Sequence, residues 1–162
     1  MYPYDYTISL GIHHPTAASA GIASRLQLEP EFSRDVGTDL RNREGRLIRV
    51  HASTWAIFPM SRARDGWLME AWPDVVEILQ TRADVLRELL DEGAEVRLMI
   101  GIFGKTAWAG FELDGALVRL LADLRIRFEV ETYFPDEPSG SAGESVELPS
   151  SPPAASTLPA TK

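Results

Sequence analysis

Ala83-Asp84-Val85-Leu86-Arg87-Glu88-Leu89-Leu90-Asp91-Glu92-Gly93-Ala94-Glu95-Val96-Arg97-Leu98-Met99-Ile100-Gly101-Ile102 changes its apolar period at one glycine, and that change decides the fold. Before Gly93 the apolar residues Leu86, Leu89 and Leu90 recur at spacings of three and four, and Asp, Glu and Arg take the other face, as in an amphipathic helix. After it, Val96, Leu98, Ile100 and Ile102 alternate with Arg97, Met99 and Gly101, the period-two pattern of a half-buried strand. Gly93 is a natural helix C-cap. Upstream, Trp72, Val75, Val76, Leu79 and Ala83 extend the helical stripe, and Pro73 is tolerated in a first turn. The expectation is one long helix, kinked near Gln80-Thr81.

Working outward, Gly104-Lys105-Thr106 reads as a turn and Trp108 to Leu113 as a returning hairpin strand. Asp114 is an N-cap for a helix carrying Leu117, Leu120, Leu121 and Leu124. Arg127 to Phe134 alternates again, with Phe128, Val130, Thr132 and Phe134 on one face. Toward the N-terminus, Tyr4, Tyr6, Ile8, Leu10 and Ile12 mark a strand that His14-Pro15-Thr16 breaks. A short helix follows to Leu26 and stops at Leu28-Glu29-Pro30. Residues 31–44 read as a long polar loop. Leu47 to Val50 and Thr54 to Phe58 read as two strands meeting around His51-Ala52-Ser53, and Pro59 to Gly66 as a connection.

The order predicts an α+β fold: a mostly antiparallel sheet with helices packed on one face. From Trp55 onward the order is β-α-β-β-α-β, which is ferredoxin-like. One domain over residues 1–134 is expected. Residues 135–162 are rich in Pro, Ser, Gly and Ala and carry no aromatic residue, so they are expected to be a disordered tail. The Pro149-Ser150-Ser151-Pro152 run in that tail is read as chance.

Apolar residues make up 44% of the 162, enough for a core, and there is no cysteine, which excludes disulfides and thiolate metal sites. No stretch resembles a secretory signal or a membrane span, so a soluble, cytoplasmic protein without membrane attachment is expected. The net charge of -8 and pI near 4.9 argue against free nucleic acid as a partner, because phosphate neutralisation needs surplus Lys and Arg.

The chain resembles a bacterial family, the domain-of-unknown-function family 4279, over roughly Tyr4 to Phe134. The resemblance is carried by the opening alternating strand, Leu26-Gln27-Leu28-Glu29-Pro30 with Gly37 downstream, Trp55 in a strand, the helix from Ala83 to Gly93, and the closing Glu131-Thr132-Tyr133-Phe134. A long Arg-rich stretch departs from the pattern, as does the tail. What the resemblance implies is a small stand-alone bacterial domain with no established activity, and it transfers no functional residue.

The catalytic motifs fail on chemistry. Gly101-Ile102-Phe103-Gly104-Lys105-Thr106 ends like a phosphate loop, but Met99 stands where the first glycine is needed, and a strand rather than a helix follows. His13 and His14 are strand neighbours pointing to opposite faces, so they cannot share a metal. Glu129 and Glu131 lie on the polar side of a strand, and nothing in the sequence gives either the raised pKa of an acid catalyst. No catalytic residue, metal or cofactor is therefore assigned. What stands out is charge: Arg34, Arg41, Arg43, Arg46, Arg49, Arg62 and Arg64 face only Asp35, Asp39, Glu44 and Asp65 within an acidic chain. Guanidinium forks suit carboxylate and phosphate recognition. Arg34, Arg41, Arg43, Arg46, Arg49 and Trp55 are the candidate anion or partner site. The expected function is a non-catalytic, immunity-like or inhibitor-like module that binds another bacterial protein. The alternative is a small-molecule or anion-binding domain, or an unrecognised enzyme, using the same loop.

Overall fold

The computed structural model describes residues 4–104 and 110–133. The expectations for Lys105-Thr106, for Trp108 and Ala109, and for Phe134 and the tail lie outside the described residues. Strand β1 (Tyr4–His14) is the centre of the architecture. Its alternating side chains Tyr4, Tyr6, Ile8, Leu10 and Ile12 are buried on one face, as the period-two pattern requires. It is followed by α1 (Ser19–Leu26), β2 (Phe32–Arg34), β3 (Asp39–Arg41), β4 (Leu47–Val50) and β5 (Thr54–Gly66). A 3-10 turn (Leu68–Ala71) then leads into α2 (Trp72–Thr81), α3 (Ala83–Asp91), β6 (Glu95–Phe103), α4 (Gly115–Asp123) and β7 (Arg127–Tyr133).

Five strands form one sheet in the order β2-β5-β1-β6-β7, and β3 pairs with β4 in a separate two-stranded sheet. Three of the four pairings in the large sheet are antiparallel, and β6 with β7 is parallel. The α+β class and the mostly antiparallel sheet are as the sequence predicts. Helix residues Ile22, Leu26, Val75, Leu79, Leu86, Leu89, Leu117 and Leu121 join the buried side of β1 and β6 in one apolar cluster. The helices thus cover one face and leave the other uncovered.

Four expectations are corrected. The segment 31–44 is not a loop throughout: it contributes β2 at the sheet edge and β3 to the separate hairpin. The stretch 59–66 is not a connection, because β5 runs on to Gly66. Proline is tolerated there because β2 has already ended opposite Ile57 and the register with β1 shifts between Pro59 and Ser61. The long helix is two helices broken at Arg82, just past the expected kink. Thr81 Oγ1 donates to the Glu77 carbonyl (2.8 Å), a back-bond that bends helices, and Arg82 Nε donates to the Leu26 carbonyl (2.7 Å), anchoring the break to the end of α1. Finally, residues 110–114 form no strand, so the described part of the expected hairpin partner is absent, and β6 passes through α4 to the parallel β7. Among the described residues the order from Trp55 onward is therefore β5-α2-α3-β6-α4-β7, not the expected ferredoxin-like β-α-β-β-α-β, although β5 and β6 run parallel with β1 between them as a split crossover.

Helix ends follow local chemistry. Asp114 accepts from the Ala116 amide at 2.5 Å and caps α4. Gly93, at φ +92, closes α3 while the Ala94 amide donates to the Leu89 carbonyl (2.9 Å). Helix α1 has no side-chain cap from its own Ala18. Asp35, sixteen residues on, accepts from the Ser19 amide at 2.7 Å instead. That bond pins the start of α1 to the segment leading into β3.

Candidate functional site

The residues singled out in the sequence fall in two places. Arg41, Arg43, Arg46 and Arg49 lie on the β3–β4 hairpin, a projecting arm. Arg34 and Trp55 lie on the uncovered face of the large sheet, on β2 and β5.

The arm is built locally. Asn42 Oδ1 accepts from the Glu44 and Arg46 amides (3.0 and 2.8 Å), and Gly45 takes φ +79 to close the turn. Among the described residues its strands pair only with each other, Asp39 opposite Val50 and Leu40 opposite Arg49. The root is fixed by the Gly37 amide to the His51 carbonyl (2.8 Å), the His51 amide to the Thr38 carbonyl (3.0 Å), and the Val36 amide to Thr54 Oγ1 (3.0 Å). His51 and Thr54 are buried there, whereas every residue from Arg41 to Val50 is exposed. That exposure includes Leu47, Ile48 at 60% and Val50, so three aliphatic side chains stand in water on an element that buries nothing. Of the four arginines, Arg41 bonds to Asp39 (2.6 Å) and to the Gly45 carbonyl. Arg43, Arg46 and Arg49 make no ion pair with a described residue.

On the sheet, the register sets Arg34, Trp55, His13 and Glu95 in one row across four strands. His13 stacks on Trp55 with ring centres 3.9 Å apart and an interplanar angle of 22°. The six-membered ring of Trp55 fills the space above Gly11: a Cβ there would lie 2.4 Å from Cη2, and 2.6 Å from Met99 Sδ. Burial holds the His13 imidazole below its ordinary pKa, and Arg97 and Arg34 push the same way against the opposing effect of Glu95. Arg97 pairs with Glu129 (3.2 Å) and Glu95 (3.4 Å), whereas Arg34 has no carboxylate partner among the described residues and lies against the Phe32 ring at 6.0 Å. The Nε atoms of both arginines are buried without a hydrogen-bond partner among the described residues.

No family model, curated protein or solved structure matches this chain. The geometry is therefore the basis for function. Among the described residues no group of three or more His, Asp or Glu side chains converges as a metal site, and no helix is long and apolar enough to cross a membrane.

The sequence pointed to the arm arginines through local charge alone. It missed His13 and Arg97 as neighbours of Trp55, because β1, β5 and β6 are remote in sequence and their register is a tertiary fact. His14 is next to His13 in sequence but does not share its face of the sheet. It faces the helix side, buried, and is part of the core rather than of this site.

Proposed function

We propose that this chain is a non-catalytic protein-binding module, immunity-like or inhibitor-like in kind, acting in the cytoplasm on another bacterial protein. The observation that carries the reading is the arm. A two-stranded hairpin is marginal by itself, yet this one displays to solvent three aliphatic side chains and three guanidinium groups that have no ion pair with a described residue. Apolar anchors within a ring of arginines match the composition of energetically important contacts in protein interfaces. The complementary surface is an apolar depression bordered by carboxylates. Replacing residues 39–50 by an Asn-Gly turn joins Thr38 to its cross-strand neighbour His51. The shortened chain is expected to unfold within about 1 kcal/mol of the parent, since the arm buries none of the core. It is also expected to lose its crosslinked partner in the native host. A chain that unfolds, or that keeps the partner, contradicts the reading.

A second reading, an anion-binding domain or an unrecognised enzyme, is supported by Arg34. A half-buried guanidinium with no carboxylate partner among the described residues, near a stacked His13–Trp55 pair, suits a phosphate or carboxylate ligand. A thermal-shift screen over phosphates, nucleotides and carboxylates reads it, with stabilisation expected in the parent and lost in Arg34→Ala. No shift in the parent removes this reading.

A further inference from the structure

On the helix side, a hollow of about 360 Å³ opens between α2 and the start of α4. Its apolar walls include Met69, Trp72, Val76 and Leu113, and Glu112 and Asp114 line its edge. Trp72 Nε1 donates to the Glu112 carbonyl at 2.7 Å, which ties the segment before α4 to α2. Met69 and Leu113 are 39% and 40% exposed, so apolar surface reaches the mouth. Glu70, Asp74 and Glu77 are exposed on the adjoining turn and helix, with Glu77 one helical turn beyond Pro73 of the lining. None of these five carboxylates forms an ion pair with a described residue. Arg119 on α4 is the nearby cation, its Nη1 3.8 Å from where a Gly115 Cβ would stand. The hollow is an apolar depression with an acidic border, the complement of an element that carries aliphatic side chains among arginines.

The arm of the same chain has that composition. It cannot fill the hollow of its own molecule, for reasons of length. The arm is rooted beside Thr54 at the first residue of β5, and the hollow begins at Met69, just past the last residue, Gly66. Thirteen residues of strand separate the two by roughly 40 Å. Seven residues on each side of the hairpin, from Thr38 to His51, reach roughly 23 Å.

We propose that the chain associates with a second copy head to tail, the arm of one seating Leu47 and Ile48 in the acid-bordered hollow between α2 and α4 of the next. The inference rests on the arm being a docking element and names one occupant for it. Arm and hollow are different surfaces, so a single contact leaves one free arm and one free hollow through which the assembly extends into chains or a ring. Arg43, Arg46 and Arg49 face Glu77, Glu112 and Asp114 across it. These charges are solvent-exposed, so the contact weakens as ionic strength rises.

The test is sedimentation velocity of the full chain over a concentration series, at about 0.05 M and about 1 M salt. The expected result is concentration-dependent growth beyond a dimer at low salt and a shift toward monomer at high salt. An arm variant (Arg43→Ala, Arg46→Ala, Arg49→Ala) and a hollow variant (Glu77→Lys, Glu112→Lys) are each expected to sediment as monomer. Mixed together, they are expected to form a 1:1 dimer and nothing larger, since each supplies one intact half, and that recovery also shows both are folded. A parent that stays monomeric throughout overturns head-to-tail association and leaves docking of a different protein by the arm untouched. Oligomers that survive in the hollow variant likewise overturn it. Loss of the host partner on excising the arm is a separate outcome, so the two readings fail independently.

Discussion

Replacing His14 by alanine is expected to lower the unfolding free energy by about 3 kcal/mol and the melting temperature by roughly 10 °C. His14 ends β1 and is 2% exposed. Its Nδ1 accepts from the Thr16 amide (3.1 Å) and the Ala17 amide (2.9 Å), so in this geometry Nε2 carries the proton and donates to Glu92 Oε2 (3.1 Å). Glu92 also takes two bonds of 2.9 Å from Arg25, which with the smaller contribution of His14 hold its carboxyl below the usual carboxylate range. One imidazole thereby joins the end of β1, the approach to α1 and the end of α3. Alanine leaves two amides without their acceptor, at about 1–3 kcal/mol each where water cannot reach them, and leaves a void. His14→Asn places an oxygen near the Nδ1 position and is expected to recover about half of the loss, while giving up the bond to Glu92. Chemical denaturation of the three proteins checks this. A loss under 1 kcal/mol in the alanine variant, or an asparagine variant no better than alanine, contradicts the assignment.

Gly11→Ala is the second large expected effect, about 2 kcal/mol of destabilisation from one methyl group on a sheet surface. Alanine in place of glycine ordinarily strengthens a strand. Here the new Cβ lies 2.4 Å from Trp55 Cη2 and 2.6 Å from Met99 Sδ. The methionine can swing aside, but the indole is held by its stack on His13. In a Trp55→Ala background the clash is gone, and the same Gly11→Ala change is expected to be neutral or stabilising. A double-mutant cycle measures that reversal of sign. Equal cost in both backgrounds contradicts the packing described for this face.

These two positions show what could and could not be read from the chain. The alternation of Tyr4 to Ile12, the glycine that separates α3 from β6 and the Asp114 cap were legible, because each depends on residues within one or two turns. The arm strand β3 was not: Asp39, Leu40 and Arg41 carry almost no apolar signal, since the hairpin buries no face against the core. The continuation of β5 past Pro59 was hidden because proline is acceptable only where the neighbouring strand has ended, and that is a property of β2. The role of His14 was invisible for the same reason, its partners Glu92 and Arg25 being brought together by packing. For the candidate site, local charge found the arm arginines, and Arg34 and Trp55 belonged to a different surface. The acid-bordered hollow has no sequence signature, because α2 and the segment before α4 meet only in the folded chain.

The exposed hairpin from Asp39 to Val50 is the proposed docking element of the α+β body. The most direct measurement is crosslinking in the native host with parent chain and with the chain whose residues 39–50 are replaced by Asn-Gly. A discrete adduct is expected with the parent and none with the shortened chain, at unchanged cooperative unfolding of the body. An adduct of the same size and yield from both proteins would contradict it.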